Sequence, residues 1–197
     1  MSTETIRDLL LFPLNTVLFP EGVLPLKVFE QRYIELTKAC LREDAPFGVC
    51  LIREGGEVGA AAVPQQIGCL ATIVQWDMPQ LGLFHLVTRG GRRFRILETR
   101  VGANQLISAE VELLPSDPAG AEIDGLCGEI LKSIIEKVGA DRFPAPLRLD
   151  DADWISYRLA EVLPLEGAEK QELLEMGDAA ARFQKLRQFL ARVGLGA

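Results

Sequence analysis

The period of the apolar residues changes once along this chain, at the segment PSDPAG (115–120), and that change asks for two kinds of structure. Before it, short apolar runs are punctuated by Gly and Pro. Strands are expected at 9–14, 25–28, 47–53, 68–76, 81–89, 92–99 and 105–114. One helix interrupts them, because Phe29, Tyr33, Leu36 and Cys40 recur at spacings of 4, 3 and 4, ending near Glu43. After it the period is helical. Ile123, Leu126, Ile130 and Ile134 form one stripe, and Trp154, Ile155, Leu159 and Val162 form a second behind Asp151 as N-cap. AEKQELLEM makes a third helix, and Asp178 opens a fourth with Phe183, Leu186 and Leu190 inward. The expectation is an α+β chain. Residues 1–115 form a mostly antiparallel barrel or sandwich with one inserted helix, and 116–197 form a helical bundle.

The stretch LFPLNTVLFPEGVLPLKVFEQRY (11–33) is unusually apolar and is broken by Pro13, Pro20 and Pro25. It does not read as a signal peptide, since residues 1–8 set Glu4 and Asp8 against Arg7 and Pro13 interrupts the run. A bilayer span needs about 20 apolar residues, which this stretch lacks. A cytoplasmic location without membrane contact is therefore expected. Leu11, Leu14, Leu26 and Val28 read as core. Phe19, Pro20, Val23 and Leu24 read as loop, where apolar side chains either fold back inward or form a surface for another chain.

No catalytic or cofactor constellation emerges. Cys40, Cys50, Cys69 and Cys127 form no C-x-x-C pair and have only His85 to join them, so small buried thiols are expected and no metal site. The loops REGGEVG (53–59) and RGGRRF (89–94) lack phosphate-binding spacing and read as hairpin turns. None of the five serines sits in a G-x-S-x-G elbow. His85, alternating with Leu83 and Val87, reads as a satisfied structural histidine. The acids of DDAD (150–153) read as capping and dipole partners at a helix start.

The segment RGGRRFRILETR (89–100) has five arginines and one acid. Alternation sets Arg92, Phe94 and Ile96 on one face and Arg93, Arg95 and Leu97 on the other. Arginines beside an aromatic on a strand suit RNA, which makes Arg92, Arg93 and Arg95 an alternative nucleic-acid site. A net charge of −7 argues against it.

The residues also resemble a known family. FPLNTVLFPEGVLPLKVFEQRY (12–33), PFGVCLI (46–52), IGCLATI (67–73), GGRRFRILE (90–98) and EKQELLEMGDAAARFQKLRQFL (169–190) are similar, in order, to blocks of the Lon (La) protease N-terminal domain. The resemblance implies a PUA-like β pseudobarrel followed by a C-terminal α-helical bundle. It also implies a non-enzymatic module, without ATPase or protease segments and without cofactor, that recognises unfolded polypeptide or a partner protein, in company with a protease or chaperone system. Phe19, Pro20, Val23, Leu24, Arg32 and Tyr33 are the expected peptide-binding residues. The segment DMPQLGLF (77–84) departs from the family by lacking an Asp-Gly turn.

Overall fold

β1 (Thr5–Leu14) carries the unbroken apolar run LLLFPL, the pattern of a strand buried on both faces. Leu9 and Leu11 enter one core with Phe94, Ile107, Val111 and Leu113. Phe12 and Leu14 enter another with Tyr33, Leu36, Phe47 and Phe84. The computed structural model describes residues 4–118 and 120–195. The chain divides into two compact units, 1–115 and 116–197.

The first unit continues through β2 (Val23–Val28), α1 (Gln31–Glu43), β3 (Phe47–Glu54), β4 (Val63–Pro64), β5 (Ile67–Gln80), β6 (Leu83–Val101) and β7 (Ile107–Leu113). Strands pair in the order β1-β7-β6-β5-β3, and β3 returns to pair in parallel with β1. The result is a closed ring, though not an even barrel. Its closing pair joins only Leu11–Leu14 to Gly48–Leu51, whereas β5 and β6 pair from Ile67 opposite Arg95 out to Gln80 opposite Leu83. β2 adds to β6 outside this ring and β4 adds to β3. α1 buries Tyr33, Ile34, Leu36 and Cys40 in the core shared with Phe12 and Phe84.

Three expectations are corrected here. RGGRRF is no hairpin turn, because β6 runs straight through it. Gly90 is there for a close approach: the turn at 19–22 lies against it, with Glu21 N–H donating to Gly90 O and Gly90 N–H to Gly22 O, both at 2.8 Å. The expected faces of this strand also fail. Arg93 and the adjacent Phe94 are both buried, Arg92 and Arg95 are exposed, and the register against β5 and β7 shifts nearby. Phe29, expected inward on the helix stripe, precedes α1 and is 63% exposed.

The second unit holds α2 (Gly125–Val138), a 3-10 turn (Ala140–Arg142), α3 (Ala152–Val162), α4 (Gly167–Glu175) and α5 (Ala179–Arg192). Asp124, Asp151 and Asp178 cap α2, α3 and α5, accepting from the N–H groups of Cys127, Trp154 and Ala180. α3 lies against each of the other three helices. The inward stripe of α2 is Cys127, Leu131 and Ile135, one residue later than expected. Ile123 lies before the helix and is exposed, while Leu126, Ile130 and Ile134 flank the stripe half-buried. Val162, expected inward on α3, is also exposed.

At the centre of this unit Arg182 is fully buried. It donates to Asp117, Tyr157 Oη (3.2 Å), Ser156 Oγ (2.8 Å), the Met176 carbonyl (3.0 Å) and Asp153 Oδ1 (2.6 Å). A guanidinium with five donors in a planar fork is the group that serves so many acceptors at once.

Candidate functional site

β6 lies between β2 and β5 along residues 84–89, which makes a three-stranded strip. Directly opposed residues share a face. Leu26, Leu86 and Trp76 therefore form one row and Lys27, His85 and Asp77 the next, on the opposite face. An open groove of about 470 Å³ lies over the middle of the strip, lined by Pro25, Lys27, Gln75, Trp76, His85 and Val87 among others. Trp76 stays 51% exposed although its ring rests on Phe84, 5.9 Å between centroids. β5 pairs with β3 only through Phe47–Val49 opposite Cys69–Ala71, so beyond Ala71 it runs out with β6 as an arm, backed by β2 as far as Phe84 and two-stranded only at the tip. Val74, Met78 and Leu81 on this arm are exposed, Leu81 to 94%. The arm turns at Leu81-Gly82, where Gly82 takes φ +82° in place of the expected Asp-Gly pair.

A second, smaller cleft of about 230 Å³ lies on the other side of β2, also bordered by Pro25, Leu26 and Lys27. Its walls are Phe12, Leu14, Val28, Phe29 and Val58, with Tyr33, Glu30 and Glu57 as polar members. β2 has no strand partner there among the described residues, and Pro25, which has no N–H to offer a neighbour, blunts that edge.

The expected peptide-binding residues separate into three groups. Phe19 is fully buried and Pro20 half-buried, so the loop folds back inward. Val23 and Leu24 belong to β2 and not to a loop; Val23 is exposed and Leu24 packs on the core. Arg32 is buried and ties backbone together, its guanidinium donating to the carbonyls of Glu57 (3.1 Å) and Gln105 (3.3 Å) beside Glu30 at 3.2 Å. Tyr33 stacks on Phe12 with centroids 3.9 Å apart, and it alone of the six borders the smaller cleft. Burial raises the pKa of its phenol first; Arg32 opposes this, and Glu30 and Glu57 reinforce it.

The arginine strand is occupied by acids. Arg92 meets Glu4 at 2.5 Å, Arg95 meets Glu112 at 3.4 Å, and Arg89 meets Glu21 at 3.5 Å. Arg93 donates to the Pro115 carbonyl at 3.4 Å. His85 is not a packed structural residue but is exposed at the larger groove. All four cysteines are free and buried, and burial pushes Cys40 up to about 11, Cys127 to about 12 and Cys50 higher still. Among the described residues no group of three or more His, Cys, Asp or Glu is placed to hold a metal ion, and no helix is long and apolar enough to cross a membrane.

The exposed residues of the arm were missed in the sequence. Val74, Trp76 and Met78 alternate in the sequence, but β5 shifts register between Ile73 and Gln75 and between Asp77 and Gln80, and alternation does not tell whether a face is covered.

The family model for the ATP-dependent protease La (LON) substrate-binding domain matches residues 8–192. The Lon protease of Koribacter versatilis is 32% identical over 206 residues, covering 94% of this chain and 24% of that protein. Lon protease 2 of Herpetosiphon aurantiacus is 26% identical over 98% of this chain and 24% of its own length. The chain thus spans about a quarter of the curated relatives it matches. Among solved structures, a Lon N-terminal domain protein from Xanthomonas campestris superposes with a TM-score of 0.76 at 35% identity, covering 94% of this chain and 98% of that one. The N-terminal domain of the Mycobacterium avium complex Lon protease shares the fold, with a TM-score of 0.67 at 20% identity over 95% of this chain and 98% of that one. The chain belongs to the Lon substrate-binding domain family.

Proposed function

We propose that this chain is a non-enzymatic recognition module that holds exposed segments of unfolded polypeptide or of a partner protein. On this reading the ring of strands is a PUA-like pseudobarrel that presents the binding surface, and the helical unit is a bundle that accompanies it. Its clients would pass to an ATP-dependent protease or a chaperone system in the cytoplasm. The observation that carries the reading is uncovered apolar surface on this arm: Trp76 stands exposed at a groove of about 470 Å³, and Val74, Met78 and Leu81 are exposed on the same arm. Exposed apolar side chains gathered on one segment often mark interaction sites. Family membership supplies the class of ligand, because the matching family is described by substrate binding.

The test is titration with a reduced, carbamidomethylated protein that stays unfolded in buffer. Saturable binding is expected with Kd on the order of tens of micromolar, since a flexible chain must be ordered as it binds. Trp76→Ala combined with Leu81→Ser is expected to weaken binding at least about fivefold, as loss of one well-buried apolar contact does, with the circular dichroism spectrum checking that the fold survives loss of the ring packed on Phe84. Absence of saturable binding, or an unchanged Kd in the double variant, overturns the reading.

A further inference from the structure

We infer that the smaller cleft beside β2 is a single-residue specificity pocket. It seats one large apolar side chain of an extended polypeptide segment, the Tyr33 hydroxyl donates to that segment's backbone carbonyl, and Glu57 selects lysine or arginine next to the inserted residue. The inference rests on the polypeptide-binding reading and adds a location and a sequence preference to it.

Three observations meet at this cleft. The first is size. At about 230 Å³ it is smaller than the roughly 300–1,000 Å³ of sites that take whole small molecules, so one side chain is the occupant that fits. Its walls of Phe12, Leu14, Val28 and Val58 call for an apolar one.

The second is an unused donor. Tyr33 is 5% exposed and its ring is fixed by stacking on Phe12, yet its hydroxyl has no hydrogen-bond partner among the described residues. The hydroxyl is not among the buried atoms that lack a partner, so solvent reaches it and its O–H is free to donate to a ligand. The ligand nearest in chemistry is a peptide carbonyl, because the cleft borders the edge of β2 that no strand covers among the described residues.

The third is charge. Glu30 is matched by Arg32, whose guanidinium is already held by two carbonyls. The Glu57 carboxylate accepts only the Asn15 N–H, at 2.6 Å, and has no cationic partner among the described residues. Lys27 borders the cleft, but it lies opposite His85 on the outer face of the strip and does not answer Glu57. The rim therefore favours a cation arriving with the client and disfavours an acid.

Soluble glycine–serine peptides carrying a single phenylalanine between two lysines, the same phenylalanine between two glutamates, or an alanine between two lysines make the test. Fluorescence anisotropy reads their binding to the full chain. The wild type is expected to prefer the lysine-flanked phenylalanine over both others by about threefold to tenfold. Tyr33→Phe keeps the stacked ring and is expected to weaken both phenylalanine peptides about fivefold. Glu57→Gln keeps an acceptor for Asn15 N–H and is expected to erase the difference between lysine and glutamate flanks. Equal binding of all three peptides by the wild type, or an unchanged profile in both variants, overturns the inference. If the unfolded protein still binds in that case, the general reading survives and only the pocket falls. If the wild type binds neither peptides nor unfolded protein, both fall.

Discussion

Gly90 and Phe19 approach so closely that a Cβ on Gly90 would stand 2.1 Å from the Phe19 carbonyl oxygen. The contact holds the 19–22 turn against β6 and keeps the Phe19 ring in the interior. Gly90→Ala is expected to destabilise the ring unit by roughly 2–4 kcal/mol, because backbone on both sides must move. Chemical denaturation followed by near-ultraviolet circular dichroism checks this, with the midpoint falling and the native spectrum retained.

Removing Arg182 should be worse than removing any surface arginine. Arg182→Met removes the cation that the buried Asp117 and the half-buried Asp153 share, and breaking a buried pair from one side costs roughly 3–5 kcal/mol. Arg182→Lys is expected to recover little, since a point charge cannot reach five acceptors. Arg92→Ala, whose partner Glu4 is exposed, is expected to change stability by less than about 1 kcal/mol. Denaturant midpoints of the three variants decide the order.

Glu161 gives the helical unit a pH dependence. Burial raises its carboxyl from 4.5 to about 7, against the pull of Arg158, which donates to it at 2.8 Å, and of Lys170. Between those two values the folded state holds a proton that the unfolded chain has already lost. Stability should therefore fall as pH rises from about 4.5 to about 7 and level off above. A quarter of the side chain reaches solvent, which keeps the change near roughly 2–3 kcal/mol. Glu161→Gln is expected to flatten this slope whatever it does to absolute stability, and denaturation midpoints across that pH range measure it.

The thiols should be silent in the native state. Cys40, Cys50, Cys69 and Cys127 are buried, and burial raises the pKa of Cys40, Cys50 and Cys127. Thiolate, the reactive form, is then scarce at neutral pH. A thiol reagent at pH 7.5 is expected to label no cysteine within minutes in buffer and all four in denaturant. Rapid labelling of the folded chain would contradict the packing described.

What the sequence revealed follows from how burial writes itself into a pattern. β1 and β3 were visible because LLLFPL and FGVCLI face two cores and so lack polar alternation. The caps Asp151 and Asp178 were visible because capping is local. The continuity of β6 was hidden, since a Gly-Gly pair ordinarily signals a turn and the reason for Gly90 lies at Phe19, distant in the chain. The buried role of Arg32 was hidden likewise, because its acceptors at Glu57 and Gln105 come from separate loops. The two clefts required knowing that β2 stands outside the ring with one edge uncovered.

The ring closes where the unit begins and ends: Thr5 lies opposite Glu112, and β1 completes the circuit by also joining β3. During synthesis β1 must therefore wait for almost the whole unit before its second neighbour exists, and until then two adhesive edges are open to other chains. Once closed, entry and exit sit side by side on the same ladder. A module wired in this way can be spliced into or joined onto another polypeptide at a single seam without rethreading its interior.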